Sequence, residues 1–237
     1  LRSMVDEWKG HMPVVLDLGN PAMKPRHLAK IKQAIGMQGT AQMSLSSLQN
    51  HSIWDFKDLV AEVSGTASGE FALEQQLEKV EAGWQDLALP VQNHRNQRDL
   101  WVLGDVTDII TLLEDHTVQI QTMMGSRFVQ GIRVQVETWE AKVRLASDCI
   151  DEWLQVQRSW MYLESIFSAE DIQKQLPQES AKFKGVDKFW KDTLKKVRMT
   201  YRLAIEAFHI PNLLANLRQA NDTLDHVQKR LQAYLET

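Results

Sequence analysis

From Leu112 the chain reads L-L-E-D-H-T-V-Q-I-Q-T-M-M-G-S-R-F-V-Q to Gln130, continuing through V-E-T-W-E-A-K-V (Val136 to Val143) to I-D-E-W-L-Q-V-Q-R-S-W-M-Y-L-E-S-I-F (Ile150 to Phe167). Trp139, Val143, Ala146, Ile150, Trp153, Leu154, Trp160, Leu163 and Phe167 recur at steps of three and four, which puts them along one side of a helix. A single helix over Arg127 to Ser168 would be roughly 60 Å long at the standard rise per residue. That exceeds what an ordinary globular domain needs and suggests a mechanical spar. Aromatics at helical spacing are core anchors before they are base- or sugar-stacking groups. Trp139, Trp153, Trp160 and Phe167, with Trp190 further on, are therefore read as structural anchors.

Outward from this stretch the pattern stays helical. Asp105 to Met124 sets Ile109, Leu112, Leu113, Ile120, Met123 and Met124 on one stripe, and Gly125-Ser126 breaks it before the long helix. Ser168 is placed to cap a short helix over Ala169 to Gln175, which Leu176-Pro177 ends. A helix over Gln178 to His209 presents Val186, Trp190, Leu194, Val197, Tyr201, Ile205 and Phe208. From Pro211 a last helix repeats Leu217, Ala220, Leu224, Val227, Leu231 and Tyr234, the spacing that packs on a partner helix.

Towards the N-terminus the reading is more broken. Pro13, Pro21 and Pro25 with Gly19 predict an irregular loop over Met12 to Pro25, with helix resuming over Pro25 to Ile35. A short helix over Asp55 to Val63 should stop at the S-G-T-A-S-G run, Ser64 to Gly69. Glu70 to Gln85 is helical again through Phe71, Leu73, Leu77, Val80 and Trp84. The runs L-A-L-P-V and L-W-V-L flank the polar tip N-H-R-N-Q-R, so Leu87 to Leu103 is read as a β-hairpin with Pro90 holding its strand to an edge. The expected fold class is mainly α, an elongated multi-helix bundle with one small hairpin near residues 87–103. The expected divisions are 1–68 (short helices and irregular loop), 69–126 (helix, hairpin, helix) and 127–237 (long-helix bundle).

Composition excludes several classes of function. Of 237 residues, 43% are hydrophobic and 24% charged, as in an ordinary folded protein. A net charge of −4 with pI near 6.0 gives no reason to expect nucleic acid. The most basic stretch, Lys182 to Arg202, is read as a solvated helix face in preference to a docking patch for an acidic partner, because Asp187 and Asp192 interrupt it. Cys149 is the single cysteine, so no intrachain disulfide forms; within the long helix it is an inert, half-buried thiol. No apolar run is long enough to cross a bilayer and L-R-S-M-V-D-E-W lacks a signal-peptide core, while the missing initiator Met suits a piece of a longer chain.

Catalytic patterns are sparse. G-x-x-x-x-G-K-[ST], H-E-x-x-H, paired C-x-x-C and G-x-S-x-G do not occur, so neither nucleotide hydrolysis nor metalloprotease or serine hydrolase chemistry is expected of this segment. Glu206-x-x-His209 would put a carboxylate and an imidazole on one helix face, as di-iron bundles do, but those need a second such pair. His209 is read as a helix-end histidine, and His116 as a core-edge histidine with a hydrogen-bond partner.

The chain resembles the linker region of dynein heavy chains. The resemblance rests on six pieces in one order: M-P-V-V-L-D-L-G-N-P-A-M-K-P-R-H (Met12 to His27), L-L-E-D-H (Leu112 to His116), M-M-G-S-R-F-V (Met123 to Val129), W-L-Q-V-Q-R-S-W-M-Y-L-E-S-I-F (Trp153 to Phe167), D-I-Q-K-Q-L-P-Q-E (Asp171 to Glu179) and Q-K-R-L-Q-A-Y-L-E (Gln228 to Glu236). The wording is closer to the axonemal branch than to the cytoplasmic one. The resemblance implies a mechanical segment that remodels over a ring of AAA+ modules to drive microtubule-based movement. It implies no cofactor here, with ATP and Mg in the parent ring. Implied partners are that ring, the dynein tail and its associated chains, with the microtubule reached only through the parent motor and neither nucleic acid nor membrane bound. The implied location is the cytoskeleton of a cilium or flagellum. Gly125, Ser126, Leu176 and Pro177 become candidate flexure points. The alternative is a static spectrin-like helical scaffold, which should show self-similarity at a fixed period; none is present.

Overall fold

A computed structural model of the protein describes residues 1–39 and 41–237. It is mainly α, with one two-stranded antiparallel sheet. The chain divides into two compact units, Leu1–Glu78 with Met123–Arg133, and Lys79–Thr122 with Val134–Thr237.

The first unit opens with α1 (Arg2–Leu18), followed by α2 (Pro25–Ile35) and α3 (Leu45–Asn50), a 3-10 turn at Ile53–Phe56, and the start of α4 (Lys57–Gln85). Its core joins Val14, Ile31, Ile35, Met37, Leu48, Ile53, Val60 and Val63. The loop expected over Met12 to Pro25 shrinks to residues 19–24, because α1 runs through Pro13 to Leu18. Proline in a helix interior loses one ladder bond, and the burial of the next residue, Val14, offsets that loss. The loop itself is tied down by Asn20, whose Nδ2 donates to the Ser64 carbonyl and hydroxyl and to Ser68 Oγ, while its Oδ1 accepts from Ala22 N–H.

The turn expected at Ser64 to Gly69 is absent: α4 continues straight through it. These small residues form a close-approach face, with Ser64 and Ala67 buried and Gly69 lying beneath the ring of Phe128. Tertiary contact overrides the local glycine preference. Phe71 departs from its expected stripe and is 45% exposed, because Glu70 turns inward in its place.

In the second unit, β1 (Val91–Asn93) pairs with β2 (Trp101–Leu103) in the register Val91↔Leu103, Gln92↔Val102, Asn93↔Trp101. The hairpin tip uses left-handed backbone at Arg95 and Asn96. Next come α5 (Thr107–Met124), a 3-10 turn at Val129–Ile132 that belongs to the first unit, and α6 (Arg133–Phe167). The long helix thus starts six residues later than the pattern suggests, and its 35 residues span about 52 Å. Its buried face runs Val136, Val143, Ala146, Ile150, Trp153, Val156, Trp160, Leu163 and Phe167, with Val156 in place of Leu154, which is half-buried.

Then follow α7 (Glu170–Gln175), α8 (Pro177–Met199), α9 (Ala204–Phe208) and α10 (Leu213–Leu235). Ser168 does not cap α7; Ala169 occupies that position, and the Ser168 hydroxyl donates back to the Ser165 carbonyl. The helix expected over Gln178 to His209 is two helices. Residues 200–203 leave it to pair with the base of the hairpin, where Leu89 N–H donates to Arg202 O and Ala204 N–H to Leu87 O. Two backbone bonds to an otherwise open strand end outweigh one more helical turn. Helix α10 starts at Leu213, after left-handed Asn212, and packs its Leu217, Ala220, Leu224, Val227 and Leu231 face while Tyr234 stays largely outside. No helix among the described residues is long and apolar enough to cross a membrane.

Candidate functional site

Two constructions stand out: an aromatic spine along α6 in the second unit, and the break before α6 in the first. The spine begins from the hairpin's need for partners. Strand β2 has one edge on β1, and Gln157 of α6 serves its other side: Gln157 Oε1 accepts from Leu103 N–H at 2.7 Å and Nε2 donates to Leu103 O at 3.1 Å. An unpaired edge amide and carbonyl are thereby closed by one side-chain amide. One helical turn on, Trp160 stacks on Trp190 of α8 with centroids 5.4 Å apart, and His94 of the hairpin meets Trp160 edge-on at 5.4 Å. Both indoles are also tied by their N–H groups, Trp160 Nε1 to Asp187 Oδ1 at 2.8 Å and Trp190 Nε1 to Trp101 O at 3.2 Å. Lys191 Nζ sits 2.8 Å from the other Asp187 oxygen. Phe167 stacks on Phe183 at 5.4 Å, and Trp153 meets Phe208 of α9 at 6.4 Å.

Trp153, Trp160, Phe167 and Trp190 are all buried. Trp139 stands apart from them, half-buried, with Lys142 Nζ 4.6 Å above its ring. Sequence reasoning missed Gln157 and Asp187, since a single amide or carboxylate on a long helix carries no periodic signal.

At the break, Ser126 Oγ accepts from Phe128 N–H at 3.1 Å and Ser126 O accepts from Val129 N–H, so the serine caps the turn into the 3-10 segment. A Cβ on Gly69 would collide with the root of the Phe128 ring, so α4 has to be bare there. Gly131 plays the reciprocal part: a Cβ would meet the carboxylate of Glu70, with Oε2 at 2.8 Å. That carboxylate is buried and holds Arg26 and His27. Because His27 Nδ1 accepts from Lys24 N–H at 2.9 Å, its ring proton lies on Nε2 and is donated to Glu70 at 2.8 Å. Lys24 Nζ reaches Glu74 at 2.6 Å. Lys24, Arg26 and His27 come from M-K-P-R-H, a stretch legible as a motif though not as an ion-pair cluster.

At the other candidate flexure point, α8 begins at Pro177. Leu176 N–H donates to Ile172 O at 2.8 Å, and Leu176 O accepts from Ser180 N–H at 2.9 Å, so bonds run on both sides of the joint.

The remaining candidates are placed as follows. His116 is buried and accepts from Trp84 Nε1 at 2.9 Å, in space left by Gly83, where a Cβ would come 3.1 Å from the imidazole. Burial holds its pKa below the ordinary value, against a raising pull from Asp115. Cys149 is fully rather than half-buried; burial, with Asp148 adding, pushes its thiol up to about 12, and Sγ lies 3.8 Å from Phe208 O. Met123 is buried and Met124 half-buried. Glu206 and His209 are exposed, with His209 Nδ1 donating to Ile205 O at 2.6 Å, a contact at the end of α9. Among the described residues no group of three or more His, Cys, Asp or Glu is placed to hold a metal ion.

Comparison with known proteins places the chain in a family. The profile of the dynein heavy chain, N-terminal region 2, matches residues 1–237. The chain is 39% identical to human dynein axonemal heavy chain 6 over 240 residues, covering 100% of this chain and 6% of that protein. It is 33% identical to rat dynein axonemal heavy chain 1 (100% of this chain, 5% of that protein) and 34% identical to mouse dynein axonemal heavy chain 3 (98% and 6%). It therefore spans about one-twentieth of the length of these relatives, and by profile and identity alike it belongs to the dynein heavy chain family, as an N-terminal region of the axonemal kind.

Proposed function

We propose that this segment is the linker of an axonemal dynein heavy chain, a stiff element that changes shape and contacts over the parent's AAA+ ring and so produces the power stroke. ATP and Mg belong to that ring. The segment's partners are the ring, the dynein tail and the tail's associated chains, and its place of action is the cytoskeleton of a cilium or flagellum. The observation that carries the reading is the spine: α6 is held at Gln157, Trp160 and Phe167 by groups from the hairpin and α8, two of them stacked ring pairs. Such spacing resists bending over several turns, as a load-bearing element requires and a catalytic pocket does not.

The test is Trp160→Leu in the intact heavy chain, which removes the Trp190 stack and the Asp187 bond while leaving the parent's nucleotide sites unaltered. Microtubule gliding should slow while ATP turnover without microtubules stays near that of the unaltered motor. Equal loss of both, or loss of neither, would count against the linker reading.

A further inference from the structure

The basic run of α8 is more ordered in space than in sequence. Its buried face is Phe183, Val186, Trp190, Leu194 and Val197. On the opposite side, Lys184, Lys188, Lys191, Lys195 and Arg198 follow one another at steps of four, three, four and three, which stacks all five in one row about 21 Å long. All five are exposed. Among the described residues only Lys191 of the five has an ion-pair partner, Asp187.

The two acids that interrupt the run in sequence do not interrupt the row. Asp187 is turned towards the spine, accepting the Trp160 indole N–H at 2.8 Å. Asp192 projects about 80° round the helix from the row's centre line, at the standard angular step per residue. Helix α8 carries seven Lys and Arg against three Asp and Glu in a chain whose net charge is −4. Exposed like charges at four-residue spacing repel one another, so the row is a cost to the isolated helix.

We propose that this row is a docking surface for an acidic α-helix of another protein segment, one whose carboxylates repeat at the same alternating steps of four and three. A straight row of cations matches a straight row of carboxylates residue for residue, and such complementarity sets orientation and on-rate. A membrane is the poorer fit, because Met199 at the end of the row is the one large exposed apolar side chain beside it; its other flanks are Gln178, Ala181, Asp187 and Asp192, with no exposed aromatic or leucine to enter a bilayer. Nucleic acid is poorer too, since no exposed aromatic stands beside the cations for base stacking: Phe189 is half-buried and Trp190 is packed against Trp160. The proposal does not depend on the linker reading.

The experiment uses the 237-residue chain and a fluorescein-labelled alanine-based helical peptide carrying five Glu at alternating steps of four and three. The control peptide has the same five Glu spread around the helix. Fluorescence anisotropy should show the row peptide binding about tenfold or more tighter than the control, and weakening as salt screens the contacts. Lys188→Glu with Lys195→Glu should abolish the preference without lowering the circular dichroism melt. Lys9→Glu with Lys30→Glu, an equal charge change elsewhere, should keep it. Equal affinity for the two peptides would overturn the proposal, as would tighter binding to phosphatidylserine vesicles or single-stranded DNA, or loss of binding in the Lys9 and Lys30 variant.

Discussion

Gly65 and Gly69 lie four residues apart on α4, and alanine at each should move stability in opposite directions. At Gly65 a Cβ has no atom within 4 Å, so Gly65→Ala acts through helix propensity alone and should stabilise by about 0.5 to 1 kcal/mol. At Gly69 the same gain applies, but the new Cβ would overlap Cγ, Cδ1 and Cδ2 of Phe128, the farthest at 2.5 Å. Carbon atoms not bonded to each other settle at about 3.5 to 4.0 Å, so the overlap is on the order of 1 Å. It falls at the root of the ring rather than its tip, and a change of χ angle beyond that point cannot relieve it. The ring must leave or the 3-10 turn must lift, which costs about 1 to 3 kcal/mol as overpacking. Net of propensity, Gly69→Ala should destabilise by up to about 2.5 kcal/mol. Urea denaturation of the chain followed by far-ultraviolet circular dichroism gives both midpoints. Phe128→Ala, added to Gly69→Ala, should recover part of the loss, and the double-mutant cycle isolates the coupling. Equal stabilisation by both alanines would show that Phe128 does not rest on α4.

Other outcomes follow from the second unit. Trp160→Ala should cost about 3 to 5 kcal/mol, because the ring is fully buried against Trp190; Trp160→Phe, which mainly removes the bond to Asp187, should cost about 1 to 2 kcal/mol by the same urea midpoints. His116 has a pKa lowered from 6.5, so its contribution is present above that value and is lost as pH falls through the folded-state pKa. His116→Gln should therefore lose less stability than the parent between pH 7 and 5, as read from paired denaturation curves. Cys149, raised from 9.0 to about 12, should be inert to a thiol reagent near neutral pH until the chain unfolds. Its contribution is full below the unfolded value and declines as pH rises towards the folded one, so Cys149→Ala should flatten any alkaline loss of stability.

What the sequence made legible was periodicity. The stripes of α5, α6, α8 and α10, and the two runs of the hairpin, are one-dimensional records of a single buried face, so spacing alone recovers them. The family was legible from ordered motifs, since the six pieces fall within a chain matched along its whole length. What stayed hidden depended on partners distant in sequence. S-G-T-A-S-G is written in turn residues, and the same small side chains serve where another segment must come close; only Asn20 and Phe128, 44 and 59 positions from Ser64 and Gly69, decide between the two. Tyr201 and Ile205 continue the α8 period, but the open backbone at Leu87 and Leu89 takes residues 200–203 out of the helix. Gln157 gave no signal because its role lies in the edge of a strand 54 residues away.

The two proposed flexure points differ physically. At Leu176-Pro177 the proline fixes its own φ, and Leu176 is bonded through both N–H and C=O to the helices on either side, so bending there must break bonds of about 0.5 to 1.5 kcal/mol each. At Gly125-Ser126 one backbone bond spans the glycine, Ser126 N–H to Met123 O at 3.1 Å, and the other constraints lie after it: Ser126 receives the N–H groups of Phe128 and Val129, Phe128 rests on Gly69, and Gly131 abuts Glu70. Residues 126–132 therefore behave as one piece with the part of α4 around residues 69 and 70. Gly125 is exposed, has no side chain, and stands between that piece and the last turn of α5. Torsion about this one residue strains a single backbone bond, Ser126 N–H to Met123 O, against two at Leu176, while glycine reaches both signs of φ and no side-chain contact has to be given up. If the segment bends at either place, Gly125 is the softer joint, and the small-residue face of α4 is what keeps the motion from spreading into the residues that follow it.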